Sequence, residues 1–286
     1  MRIVRDAALL SVLLSCLGAQ GAERITFVEV RTTALGRSLP LAVVAPSPRH
    51  SGRDTPVLFF LHGRGRHHRS LLESEKARAA LLAAPFFVVL PQGEDGWYVD
   101  APARPADRYE AYLEEVITWT RTNLPVAAAR ERRGIGGWSM GGYGAVRFAQ
   151  RHADQFGFVC AVIGLLDFPR AETLPEGQNY RVPVPRFTAD PAIWQQMNPI
   201  HGVTALRKFN ITLVLATRGF ERTMNENFIA ALAAEKIAAR VHRLEGGHTF
   251  ELVEQALPLV LADAANAFDR VATGLPSPGV TGGRGP

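Results

Sequence analysis

The chain has 286 residues, 47% of them hydrophobic and 21% charged, with 32 Lys and Arg against 27 Asp and Glu. That is a globular balance with enough apolar material for a sizeable core, and length alone allows one domain or two. The formal charge is +5, but the arginines are scattered and form no basic helix face, so the charge reads as solvated surface and argues against a nucleic-acid partner.

Residues 1–22 have the layout of a secretory signal peptide. Arg2 and Arg5 open it, Ala7 to Gly18 is almost unbroken apolar sequence, and small residues follow at Ala19, Gly21 and Ala22. The apolar stretch falls short of the roughly 20 residues that span a bilayer, so no integral membrane domain is expected. The expectation is a secreted or periplasmic protein cut near Ala19 or Ala22. Leu13-Leu14-Ser15-Cys16 also resembles a lipoprotein cleavage box, which would tether the chain through Cys16. The second position of that box is usually smaller than Leu, which favours simple secretion. Without the leader, Cys160 is the sole cysteine, so no intramolecular disulfide can form. It lies in the apolar run Phe158 to Ile163 and reads as an inert core thiol.

After the leader, strands and helices alternate. Arg24 to Val30 has the period of a half-buried strand, and Leu39 to Ala45 makes a second. Pro56 to Leu61 and Phe86 to Leu90 are apolar throughout, as in strands covered on both faces. Ser70 to Ala84 is helical in composition. Tyr109, Leu113, Val116, Ile117 and Thr120 give a helix over Ala106 to Asn123. A short strand over Gly134 to Trp138, a helix over Gly141 to Arg151 and the strand Phe158 to Ile163 follow. Ile211 to Ala216 and Val241 to Leu244 complete the strands, and Glu221 to Ala234 and Phe250 to Ala272 the helices. This order predicts one α/β domain over 23–272, with a mostly parallel sheet and helices on both faces. The Pro-rich stretch 169–199 has no period and reads either as a cap over the site or as a plain surface excursion. Residues 273–286 are Gly- and Pro-rich and read as a disordered tail.

Gly137-Trp138-Ser139-Met140-Gly141 is a G-x-S-x-G sequence between a predicted strand and a predicted helix. That context suits a serine on a strained turn, with its hydroxyl exposed and a helix N-terminus beneath it. Ser139 is therefore the candidate nucleophile and the Met140 N–H a candidate oxyanion donor. His248, in a Gly-Gly-His turn after the last strand, is the candidate base. His62 reads as structural, and His50, His152, His201 and His242 as surface or edge residues. His62, His67 and His68 have no standard ligand spacing and no accompanying carboxylate, so no metal is expected.

Gly136 to Ala145 resembles the nucleophile region of an esterase family. That family holds the S-formylglutathione hydrolases (esterase D), tributyrin esterases, feruloyl and acetylxylan esterases and the antigen 85 mycolyltransferases. Val57 to Gly63, Gly96 to Asp100 and Gly246 to Phe250 resemble its oxyanion strand, the stretch before its central helix and its histidine loop. The resemblance implies the α/β-hydrolase fold, a second oxyanion N–H at Arg64, candidate substrate contacts at Trp97, Tyr98 and Trp138, and no cofactor. It also implies an aspartate after the strand Ile211 to Ala216. Aligned on Asn225 and Phe228, that position holds Gly219. Glu221, two residues on, is the nearest carboxylate, and Asp167 is the alternative acid. The expectation is an exported serine esterase acting on a small-molecule or carbohydrate ester. Acyl transfer to a sugar hydroxyl, or a binding protein with a degenerate triad, are the alternatives. The basic loop Arg64 to Arg69 reads as solvated rim, or as a site for an acidic substrate.

Overall fold

Strands in this chain sort by burial. The computed structural model describes residues 24–273. Within it, β3 (Val57–Leu61), β4 (Phe87–Pro91), β5 (Arg133–Trp138) and β6 (Phe158–Val162) are buried at every position. β7 (Asn210–Ala216) is buried at all but its first residue. β1 (Ile25–Thr32), β2 (Arg37–Val44) and β8 (Arg240–Leu244) carry exposed residues. Runs that are apolar on both sides of the pleat need cover on both faces, which sets the first group inside the sheet. The observed order is β1-β2-β4-β3-β5-β6-β7-β8. β1 pairs antiparallel with β2 and β2 with β4, while the other neighbours run parallel.

Eight α-helices are described: α1 (Ser70–Glu73), α2 (Glu75–Ala83), α3 (Tyr109–Asn123), α4 (Met140–Arg151), α5 (Val184–Phe187), α6 (Pro191–Met197), α7 (Arg222–Ala234) and α8 (Phe250–Thr273). Alternate residues of a strand feed opposite cores. Val57, Phe59 and Leu61 pack with Leu113 of α3, Val146 of α4 and Phe228 of α7. Leu58 and Phe60 pack with Leu71 of α1, Leu81 of α2 and Val260 of α8. The result is a mostly parallel sheet with helices on both faces, as the element order predicts.

Three local differences have physical causes. The helix expected over Ser70 to Ala84 is two, because Ser74 is extended (φ −81°, ψ 126°) and its hydroxyl caps α2 by accepting the Ala77 N–H at 3.2 Å. The helix expected from Ala106 starts at Tyr109, where Asp100 Oδ1 accepts the N–H groups of Glu110 and Ala111 at 3.0 and 3.1 Å. The aperiodic stretch 169–199 contains two short helices, α5 and α6, and both have proline in their first turn. The expected leader over 1–22, with Cys16, lies outside the described residues. So does the tail apart from Thr273, which ends α8. Among the described residues no helix is long and apolar enough to cross a membrane.

Candidate active site

The C-terminal ends of β3, β5, β7 and β8 converge on one edge of the sheet, the usual location of sites in open α/β folds. Ser139 stands between β5 and α4 with φ 54° and ψ −119°, a conformation costing of order 1–3 kcal/mol for a residue with a Cβ. Neighbouring glycines make the turn possible through close approach. A Cβ on Gly141 would lie 2.2 Å from the Leu61 carbonyl oxygen, and one on Gly137 2.5 Å from the same atom. The Ser139 carbonyl accepts the Tyr143 N–H at 3.0 Å. In a trans peptide that carbonyl and the Met140 N–H point in opposite directions. Closing the first turn of α4 therefore turns the Met140 N–H out of the helix, on the side where the dipole is positive.

A second peptide is pinned the same way. The Gly63 carbonyl accepts from His62 Nδ1 at 2.9 Å and from the Arg66 N–H at 3.1 Å. This fixes the plane that carries the Arg64 N–H. His62 Nε2 accepts the Gly93 N–H at 2.8 Å. With one ring nitrogen facing a carbonyl and the other an N–H, only the neutral tautomer protonated at Nδ1 fits. Burial pushes the His62 pKa down to about 4, which favours that neutral form. His62 is buried and hydrogen-bonded through both ring nitrogens, and it braces the loop that carries the candidate oxyanion N–H of Arg64.

His248 lies between β8 and α8. Its loop is tied to the end of β7 by Thr217 N–H to Leu244 C=O at 3.0 Å and Arg218 N–H to Gly246 C=O at 2.7 Å. His248 Nε2 is 2.9 Å from Ser139 Oγ, and Nδ1 is 2.8 Å from Glu221 Oε2. Nδ1–H donates to the carboxylate, which leaves Nε2 to accept from the serine hydroxyl. Glu221 is fully buried, whereas the His248 side chain keeps 21% of its exposure.

The gap at Gly219 has a spatial explanation. A Cβ on Gly219 would lie 2.3 Å from Glu221 Oε1 and 2.5 Å from Oε2. The Glu221 carboxylate therefore fills the volume that a side chain at 219 would use. Gly219 is not in the left-handed region, so backbone strain does not demand glycine there. The one extra methylene that a glutamate has over an aspartate helps residue 221 reach back over 219 to the imidazole. Asn225 anchors this turn, giving its side-chain N–H to Glu221 C=O at 2.9 Å and to Gly164 C=O at 2.7 Å.

The alternative acid is not at the site. Both Asp167 oxygens are held elsewhere, Oδ1 by Asn198 Nδ2 at 2.8 Å and Oδ2 by Asn227 Nδ2 at 2.8 Å and by Arg170. Asp167 knits the exit of β6 to the following segment and to α7. The substrate contacts expected from Trp97, Tyr98 and Trp138 also need correction, because all three are buried. Trp97 packs between Phe168 and Phe187, with ring centroids 5.1 and 5.2 Å away. Tyr98 lies at the end of β3, where its hydroxyl accepts the His62 N–H at 3.1 Å. Trp138 points into the sheet core and stacks on Phe60 at 6.0 Å.

Two residues near the base carried no sequence signal. The Phe220 ring lies on the His248 imidazole, centroids 4.5 Å apart, and Tyr180 from 169–199 stacks on Phe220 at 5.4 Å. The basic loop is largely consumed by local contacts. Arg64 pairs with Asp95 at 3.0 and 3.3 Å, and Arg66 and Arg69 lie over the rings of Phe250 and Phe27. Cys160 is buried, which raises its thiol pKa. Among the described residues no cluster of three or more His, Cys, Asp or Glu could hold a metal ion.

The family model described as Putative esterase matches residues 32–263. Esterase Rv1288 of Mycobacterium tuberculosis is 25% identical over 262 residues, covering 79% of this chain and 56% of that protein. The chain thus spans a little over half the length of that relative. An acetyl esterase of Caldicellulosiruptor saccharolyticus is 25% identical over 226 residues, covering 74% of this chain and 82% of that protein. Among solved structures, fluorophosphonate-binding serine hydrolase F of Staphylococcus aureus has a TM-score of 0.74 at 16% identity, covering 85% of this chain and 98% of that chain. An S-formylglutathione hydrolase from Agrobacterium tumefaciens has a TM-score of 0.73 at 18% identity, covering 87% and 98%. At these identities the structural likeness shows the fold, which is the expected α/β-hydrolase fold.

Proposed function

The chain belongs to this esterase family, and from that premise we propose that it is a serine carboxylic ester hydrolase working through an acyl-enzyme on Ser139. The observation that carries the proposal is the continuous hydrogen-bond chain from Ser139 through His248 to Glu221, at 2.9 and 2.8 Å. Ser139 Oγ attacks the ester carbonyl while His248 Nε2 takes its proton. The Glu221 carboxylate holds the imidazole in its productive tautomer and stabilises the imidazolium. The negative charge on the tetrahedral oxygen is met by the N–H groups of Met140 and Arg64. His248 then protonates the departing alcohol. Water, deprotonated by the same nitrogen, attacks the acyl-enzyme and frees the acid. Each of these steps uses side chains and backbone alone, so no cofactor is invoked.

The motive for a degenerate site was the missing aspartate at 219, and Glu221 supplies a carboxylate at hydrogen-bond distance in its place. The proposal includes export, which rests on the leader-like sequence over 1–22. The substrate is a small-molecule or carbohydrate ester. The test combines a fluorophosphonate probe with p-nitrophenyl acetate turnover. Wild type should label and turn over, while Ser139→Ala should not label and should lose roughly 10⁶ in kcat. A wild type that neither labels nor turns over would refute the proposal.

A further inference from the structure

The stretch 169–199 makes three contacts with the catalytic loops through residues 178–180. Gln178 Oε1 accepts the Thr223 N–H at 3.0 Å and the Thr223 hydroxyl at 3.1 Å, two residues beyond the candidate acid. The Tyr180 ring lies nearly parallel to Phe220, at 19° and 5.4 Å, and Phe220 covers the His248 imidazole. The Tyr180 hydroxyl accepts from Arg64 Nη1 at 3.1 Å, across 116 residues of sequence. Arg64 is the residue whose N–H completes the proposed oxyanion hole, and its guanidinium is already braced by Asp95. One side chain thus touches the loop that would hold the oxyanion and the stack that backs the base. Tyr180 also lines a groove of about 360 Å³ whose wall mixes Phe168, Leu174 and Trp194 with Arg170, Glu172 and Arg181.

Resting on the esterase reading, we infer that residues 178–180 are a strap that holds the oxyanion loop and the acid–base loop in register, and that Tyr180 is its positioning and specificity residue. The hydroxyl acts through Arg64 on the oxyanion loop. The ring acts through Phe220 on His248 and partitions the groove from the imidazole. With the ring in place the site takes short acyl groups. Without it the groove is continuous with the site and accepts the longer chain along the part of its wall formed by Phe168, Leu174 and Trp194.

Two variants separate these roles. Tyr180→Phe keeps the ring and removes the hydroxyl, so kcat should fall about three- to tenfold on both p-nitrophenyl acetate and p-nitrophenyl octanoate, with KM unchanged. Tyr180→Ala also removes the partition, so the octanoate-to-acetate ratio of kcat/KM should rise about tenfold or more. Both variants should speed amide hydrogen exchange over residues 62–66, and Tyr180→Ala over 217–223 as well. The exchange readout does not depend on turnover. Failure of wild type to label with fluorophosphonate would strike the esterase reading, whereas unchanged exchange in both variants would strike the strap. A kcat for Tyr180→Phe within twofold of wild type, or an unchanged ester ratio for Tyr180→Ala, would also overturn the inference.

Discussion

The two sides of the candidate site are built by different means. On the nucleophile side the backbone does the positioning. Gly137 and Gly141 let α4 approach the end of β3, and the Ser139 and Gly63 carbonyls are both pinned by hydrogen bonds. On the acid side the work falls to side chains. Glu221 reaches back over Gly219, and Phe220 and Tyr180 stack behind the imidazole. A backbone-made feature demands particular residues at particular spacings. A side chain with several rotatable bonds can instead deliver the same atom from a neighbouring position, so its location along the chain is less constrained.

The largest test of this contrast is Glu221→Ala. Loss of a triad acid can cost about 10⁴ in rate, and kcat on p-nitrophenyl acetate should fall on that order while fluorophosphonate labelling slows in parallel. A loss under tenfold would mean that the acid side contributes little and that the contrast is false.

A smaller effect is expected on the backbone side, in stability against pH. The His62 pKa is pushed down to about 4 by burial, against 6.5 in the open chain. The unfolded state then binds the extra proton first. The stability is fully present above pH 6.5, falls as the pH drops, and is lost by about pH 4. The difference is on the order of 3 kcal/mol. Thermal midpoints between pH 7 and pH 4 should drop less steeply for His62→Asn than for wild type. Parallel slopes would remove His62 as the acid-sensitive support of the oxyanion loop.

Asp167→Asn should move activity least. Its carboxylate serves Arg170, Asn198 and Asn227, so turnover should stay within about threefold of wild type. Removing a mostly buried ion-pair partner should still lower stability by about 2 kcal/mol, less than for a fully enclosed pair because Arg170 keeps some exposure. A loss of turnover comparable to that of Glu221→Ala would return Asp167 to the role of acid.

The same contrast explains what the sequence made legible. Every sheet strand was readable within about two residues, because buried strands leave unbroken apolar runs such as Val57 to Leu61. Ser139 and His248 were readable because elbow and loop impose glycines around them. Glu221 was readable only as the nearest carboxylate, since nothing in Ala216 to Glu221 says that the side chain folds back. Trp97 and Tyr98 were misassigned because a large aromatic in a loop looks the same whether it packs inward or faces a ligand. Tyr180 and Phe220 left no trace, because a contact between residues 40 apart on aperiodic segments has no local signature.

A double variant separates a carboxylate displaced from position 219 to Glu221 from an ordinary buried glutamate. If the Glu221 carboxylate occupies the volume of a side chain at 219, then Glu221→Ala vacates that volume and Gly219→Asp can refill it with a carboxylate aimed at His248 Nδ1. The double variant should recover at least tenfold in kcat over Glu221→Ala alone. Gly219→Asp by itself, with Glu221 still in the way, should be less active than wild type. A folded double variant no more active than Glu221→Ala, together with a fully active Gly219→Asp, would contradict that displacement.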